Sequence, residues 1–263
     1  MISRTATDAW LYALKTVLAT GQDVHIERVQ QSTREVQLLQ LRLPLRRAVV
    51  ACPARKLSYR FMAAEALWIL EGRDDVATIA KHLERYREFS DDGVRLAGAY
   101  GPRFVAQLPY VVRTLRDDHT SRQAVVSLWE PSPAPSRDIP CTLSLQWFSR
   151  EGRLHCFVVM RSSDLWLGLP YDLLTFTCMT YRVLQELRMG GVTPGLLHWT
   201  AGSAHLYERD QEAARELLMQ PAGPEESHLV PQEWEVDHAT MLAHLTEARD
   251  LAGNHVTWRL RPW

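Results

Sequence analysis

The chain has 263 residues, of which 46% are hydrophobic and 23% charged, with a net charge of −1. That balance fits one large globular domain or two small ones, and no basic excess or acidic tail points to a nucleic-acid polymer as partner. No apolar run approaches the roughly 20 residues that a bilayer span needs.

In chain order, residues 5–20 read as a helix, with Trp10, Leu11, Leu14 and Val17 at helical spacing. Asp8 and Lys15 interrupt its apolar positions, so the segment reads as an amphipathic helix rather than a signal peptide. Residues 34–51 alternate and are rich in Val and Leu, which predicts two strands broken near Pro44. SYRFMAAEALWILEG, 58–72, is a helix closed by Gly72, and a second helix is expected over 75–89. GAYGPRF reads as a glycine-rich loop, and RQAVVSLW, 122–129, as a strand. PSPAPSRDIP, 131–140, is a proline-rich surface loop. TLSLQWFSREGRLHCFVVMR is a hairpin with its turn at REG. Helices follow at about 172–189, 205–219 and 237–252, with PAGPEES, 221–227, as an exposed connection. Strands and helices interleave, but the central strands cluster as a hairpin, which favours α+β over a doubly wound parallel sheet. No boundary is marked, so 1–263 is read as a single domain.

Four cysteines, Cys52, Cys141, Cys156 and Cys178, are scattered without CxxC spacing, which makes a reducing cytoplasm the expected location. Cys141 differs from the others in following a Pro at the mouth of a strand. A thiol is a nucleophile only as thiolate, and a Cys opening an apolar strand is more often a packed core residue. Glu65 stands in an apolar helix between Ala64 and Ala66; it is either the solvated edge of that helix or a carboxylate facing a cavity. Arg161, Ser162 and Ser163 end a strand, and an Arg fork with hydroxyls suits a phosphate or carboxylate. Arg122 and Arg34 are similar loop–strand arginines for which a surface ion pair is the plainer reading. His205 and Tyr207 follow a Gly, and no second His or Cys stands at ligand spacing, so no metal site is expected. GAYGPR matches neither a P-loop nor a dinucleotide fingerprint.

Taken together, the blocks IPC (139–141), RSSDLWLGLPYD (161–172) and WTAGSAHLY (199–207) resemble the thymidylate synthase superfamily, which includes the pyrimidine-nucleotide hydroxymethylases. AEALWILEG (64–72), SRQAVVS (121–127) and GAYG (98–101) fall in the matching order. The resemblance runs from about residue 25 to 220. It implies an α+β fold, a large twisted mixed sheet flanked by helices and dimerising through the sheet. It also implies 5,10-methylenetetrahydrofolate as co-substrate. Cys141 would attack C6 of a pyrimidine nucleotide, and Glu65 and Tyr100 would organise water and proton transfer. Arg161, Ser162 and Arg34 would bind the 5′-phosphate, and Arg122 would reach the partner's phosphate in a homodimer. His205 and Tyr207 would hold the sugar, and Asp164, Trp68 and Gly168 would face the folate.

Asp172 departs from the thymidylate synthase pattern, which has Asn there. An Asn amide both donates and accepts, as uracil requires; an ionised Asp only accepts, as the 4-amino group of cytosine requires. The plain alternative is a helix N-cap. Asp at this position resembles the deoxycytidylate hydroxymethylase branch. The expectation is hydroxymethylation of dCMP, with dCMP methylation, dUMP or CMP hydroxymethylation and thymidylate synthesis as alternatives. Thr142, Gln123 and Met160 also depart from the pattern, and so does the terminal TWRLRPW.

Overall fold

The computed structural model describes residues 2–131, 133–188, 191–220, 230–235 and 237–250. The expected exposed connection at 221–227 and the terminal TWRLRPW lie outside the described residues.

The first helix, α1 (Ala6–Thr20), starts at Thr5, whose side chain and that of Asp8 satisfy each other's backbone amides in a capping box. It buries Trp10, Ala13, Leu14 and Val17. Trp10 is fully buried, and its indole N–H donates to the Leu165 carbonyl at 2.7 Å, tying α1 to the central turn. Truncating such an anchor to Ala costs about 3–5 kcal/mol. The sheet follows with β1 (Gln22–Ile26), β2 (Gln31–Pro44), β3 (Val125–Ser127), β4 (Thr142–Arg150), β5 (Arg153–Asp164) and β6 (Thr193–Tyr207). Its order is β1-β2-β6-β5-β4-β3. Only β5 and β6 run parallel, so the sheet is mixed and the fold is α+β. The β4–β5 turn falls on Glu151 and Gly152, both at positive φ (52° and 68°), which matches the right-handed twist of the strands.

The remaining helices are α2 (Tyr59–Leu70), α3 (Val76–Ile79), α4 (Tyr86–Phe89), α5 (Tyr100–Asp117), α6 (Leu169–Leu187), α7 (Glu208–Met219) and α8 (His238–Asp250). One cluster of buried apolar side chains runs from Ala6 to Ala248. It includes Trp147, whose N–H donates to Thr180 Oγ1, and Trp199, whose N–H meets Met160 Sδ. Opposite the helices, Phe157 stacks on His198 at 4.1 Å and meets Phe148 edge-on at 5.1 Å. Phe157 and Val159 are each 38% exposed, so this sheet face presents an apolar strip.

Several expectations are corrected. After Pro44 there is no second strand; Leu45–Arg47 is a 3-10 turn. The helix expected over 75–89 is broken into α3 and α4. The GAYGPRF loop is the start of an 18-residue helix. Pro102 is tolerated there because the first-turn amides have no intrahelical partner. Residues 205–207 are strand, because Ala204 and Leu206 alternate with His205 and Tyr207 at period two; the helix begins at Glu208.

Candidate active site

Four segments converge on Cys141. The loop before β4 carries it, and the Arg161 amide donates to the Cys141 carbonyl at 2.8 Å. The Arg161 guanidinium donates to the carbonyls of Pro140 and Ile139, each at 2.9 Å, and stands 3.6 Å from the Cys141 sulfur. One arginine thus fixes the loop and places positive charge beside the thiol. The opposite wall is the start of α5. A Cβ at Gly98 would lie 2.7 Å from the Asp138 carbonyl, so the close approach of these two loops requires glycine. The Gly98 amide donates to Asp138 at 2.7 Å. This contact brings Tyr100 over the nucleophile; its hydroxyl accepts from the Thr142 amide at 3.2 Å and from Thr142 Oγ1 at 3.0 Å.

Burial is the largest influence on the Cys141 thiol and pushes its pKa up; Arg161 pulls it back, Asp172 and Asp138 oppose, and Arg28 assists. Cys156 is pushed to about 12 and Cys178 higher still by burial in the core, so neither suits a nucleophile. Cys52 opens a 3-10 turn and packs on the core.

Two carboxyl groups are linked electrostatically to this site, Asp172 acting on the Cys141 thiol and Glu65 on Asp172. Glu65 projects from α2, and burial raises it from 4.5 to about 7, with a hydrogen bond from Tyr86 acting the other way. Asp172 lies in the first turn of α6. Its side chain makes no hydrogen bond among the described residues, so it is not a side-chain cap: the N-cap is Gly168, and the Asp172 amide donates to its carbonyl at 3.1 Å. Burial raises the Asp172 carboxyl well above its ordinary range, and the charges of Glu65 and Asp164 add to this. Two carboxyls sharing one desolvated space keep at least one proton between them at neutral pH.

At the far end, Asp164 pairs in register with His205 across β5 and β6. Asp164 Oδ1 accepts from the Trp166 and Leu167 amides at 2.8 and 3.0 Å and so closes the turn that leads to Gly168. His205 and Tyr207 meet edge-on at 5.3 Å. Desolvation lowers the His205 pKa first of all, with Asp164 acting against it, so the ring is held neutral at pH 7. Ser162 pairs with Ser203 on the neighbouring strand. Arg122 is exposed just before β3 and forms no ion pair among the described residues.

Two expected residues stand apart. Arg34 pairs in register with buried Leu206, not with His205 or Tyr207, and this parity turns it to the helix-covered face. There it bonds to Asp23 at 3.1 Å and to the Leu18 carbonyl at 3.2 Å. The basic group that the site does feel is Arg28, in the β1–β2 turn, which acts on both Cys141 and Tyr207. Its position in a polar turn gave no signal beyond its charge. Trp68 is 4% exposed, and its indole N–H donates to the Asp75 carbonyl at 3.1 Å, so it is a wall of the core. Trp166 is the aromatic ring beside Asp164; Arg55 lies over it at 4.3 Å, and the buried Arg55 Nε has no acceptor among the described residues. The same guanidinium donates through Nη2 to the Trp166 carbonyl at 2.9 Å, which locks Arg55 onto this turn.

A family model described as "Thymidylate synthase" matches residues 8–242. The chain belongs to the thymidylate synthase family. Membership makes it a one-carbon transferase, and the family's co-substrate is methylenetetrahydrofolate, which supplies the carbon unit to a nucleotide. Among the described residues no helix is long and apolar enough to cross a membrane, and no cluster of His, Cys, Asp or Glu could hold a metal ion.

Proposed function

We propose that this thymidylate synthase family member is a deoxycytidylate 5-hydroxymethylase. The observation that carries the reading is Asp172, a carboxyl whose pKa is pushed well above the ordinary range by desolvation and by Glu65, and which acts on the Cys141 thiol.

Pyrimidine C5 is a poor nucleophile. Thiolate addition at C6 makes it an enamine carbon that can take up the one-carbon unit. For cytosine, that addition is eased when N3 receives a proton. A neutral Asp172 has one to give, while its carbonyl oxygen accepts from the 4-amino group. Passing the proton to the base leaves a carboxylate next to a cation, and this charge-assisted pair compensates for the solvation that the buried carboxylate lacks. A neutral Asp172 also removes one of the charges that oppose the Cys141 thiolate. Arg161 and Arg28 supply the positive field for thiolate and phosphate. Neutral His205, with Tyr207 beside it, suits a sugar hydroxyl. Tyr100, hydrogen-bonded at the Cys141 loop, is placed for the proton at C5, and Glu65, near neutrality, for the water that ends the reaction.

Homodimerisation through the open sheet face is part of the proposal. The strip of Phe148, Phe157 and Val159 is what such a face requires, and it would leave exposed Arg122 to complete the partner's phosphate site. One observation favours a second reading: a neutral carboxyl can also pair with O4 and N3–H of uracil, so dUMP is the competing substrate. Incubation with methylenetetrahydrofolate and an equal mixture of dCMP and dUMP tests the choice. Conversion of dUMP ahead of dCMP overturns the cytosine reading.

A further inference from the structure

Tyr86 has no part in the residue set above, yet its hydroxyl donates to Glu65 Oε1, and this is the one side-chain hydrogen bond Glu65 makes among the described residues. The phenol sits in α4, a single turn held off from α3, and its ring is clamped by Phe61 at 5.7 Å and Phe89 at 6.1 Å. Phe61 in turn meets Tyr171 edge-on at 5.2 Å, at the start of α6. The ring is therefore located by packing and the hydroxyl by Glu65. Burial and the neighbouring carboxyls push the phenol well above its ordinary pKa, so it remains a donor throughout the working pH range. The titratable groups around the pair are Asp172 and Tyr171 from α6 and Tyr100 from α5.

We propose that Tyr86 is the positioning residue that makes Glu65 the base for water: it takes Oε1 and leaves Oε2 to orient and deprotonate the water that captures the nucleotide's exocyclic methylene. This rests on the hydroxymethylase reading. In the step, the water oxygen bonds to the exocyclic carbon and one water proton passes to Glu65. The methylene π pair moves into the ring, and the C6–S bond breaks with its electrons returning to Cys141 as thiolate. No oxidant or reductant is needed, and the proton on Glu65 leaves to solvent. A hydrogen bond to the charged form favours that form, so Tyr86 also keeps Glu65 ionised at lower pH than burial alone would allow.

Tyr86→Phe keeps the ring and removes the donor. With the wild-type product fixed first by mass, the variant is assayed for tritium release from [5-³H]dCMP and for hydroxymethyl product. The expected result is tritium release within about threefold of wild type and hydroxymethyl product down about tenfold or more. The acidic limb of its pH profile is expected to move up by about one pH unit. If tritium release and product fall together, Tyr86 only supports the site and the proposal fails. If product and pH limb are unchanged while the wild type makes hydroxymethyl-dCMP, the proposal fails and the hydroxymethylase reading stands. A wild type that makes 5-methyl-dCMP overturns both.

Discussion

Asp172→Asn separates the role of a proton at the base from that of shape. The side chains are nearly isosteric, and the Asp172 carboxyl makes no protein hydrogen bond among the described residues, so the substitution breaks no internal contact. It removes a carboxyl whose protonated form is favoured by burial, Glu65 and Asp164 alike. An Asn amide can still accept from the 4-amino group and donate to N3, so binding of dCMP changes little. It cannot protonate N3. Loss of a general acid costs about 10²–10⁴ in rate, and the loss should fall on kcat rather than KM. For dUMP the amide satisfies both O4 and N3–H; leaving one of these unpaired would cost about 1–3 kcal/mol. The dUMP kcat/KM is therefore expected not to fall, and the dCMP-to-dUMP ratio to invert. Steady-state kinetics on both nucleotides, at saturating methylenetetrahydrofolate, measure this. A ratio within about threefold of wild type, or a dCMP kcat that survives, refutes the reasoning.

Glu65 carries a stability signature as well as a catalytic one. Its folded pKa of about 7 lies above the ordinary 4.5, so the folded state binds the extra proton, and stability is lost as pH rises through that window. The gap corresponds to about 3 kcal/mol. Glu65→Gln, which lacks this titration, should match the wild type near pH 4.5 and unfold at higher temperature than it at pH 8, by roughly 2–4 °C per kcal/mol; equal melting at both pH values contradicts the buried carboxyl. Mixing inactive Cys141→Ser with inactive Arg122→Ala protein, after subunit exchange, should restore activity to about a quarter of wild-type sites if Arg122 acts across a two-fold dimer; no recovery places Arg122 elsewhere. Arg28→Ala should raise KM for the nucleotide about tenfold, whereas Arg34→Ala should leave it unchanged, because the latter guanidinium is held by Asp23 and Leu18; the opposite ranking restores Arg34 to the phosphate.

Much of the framework is legible in the residues. Period-two alternation and the REG turn mark the β4–β5 hairpin, and the Ser58 cap with its apolar run marks α2. The order of the Cys141, Arg161, Asp172 and His205 blocks marks the family. What was not legible depends on context beyond the local window. Gly98, Gly101, Pro102 and Pro109 argue for a loop, yet Phe104, Leu108, Val111 and Leu115 fall on one helical face, and tertiary burial of that face outweighs propensity. Arg34, in a loop–strand setting, reads as the anion ligand and Arg28 goes unmarked until the β2–β6 register assigns Arg34 to Leu206. Trp68 is the one aromatic candidate for the co-substrate and Trp166 goes unmarked; only the packing shows that the first is closed by Asp75 and that the second lies under Arg55. Tyr86 gave no signal, because its meaning comes from Glu65, 21 positions away.

The mass of the nucleotide formed from dCMP and methylenetetrahydrofolate distinguishes capture by water from reduction by hydride. The expected product is 5-hydroxymethyl-dCMP, one oxygen heavier than the methyl product, formed without dihydrofolate. A 5-methyl nucleotide accompanied by dihydrofolate, or an unchanged dCMP beside converted dUMP, would contradict the hydroxymethylase reading.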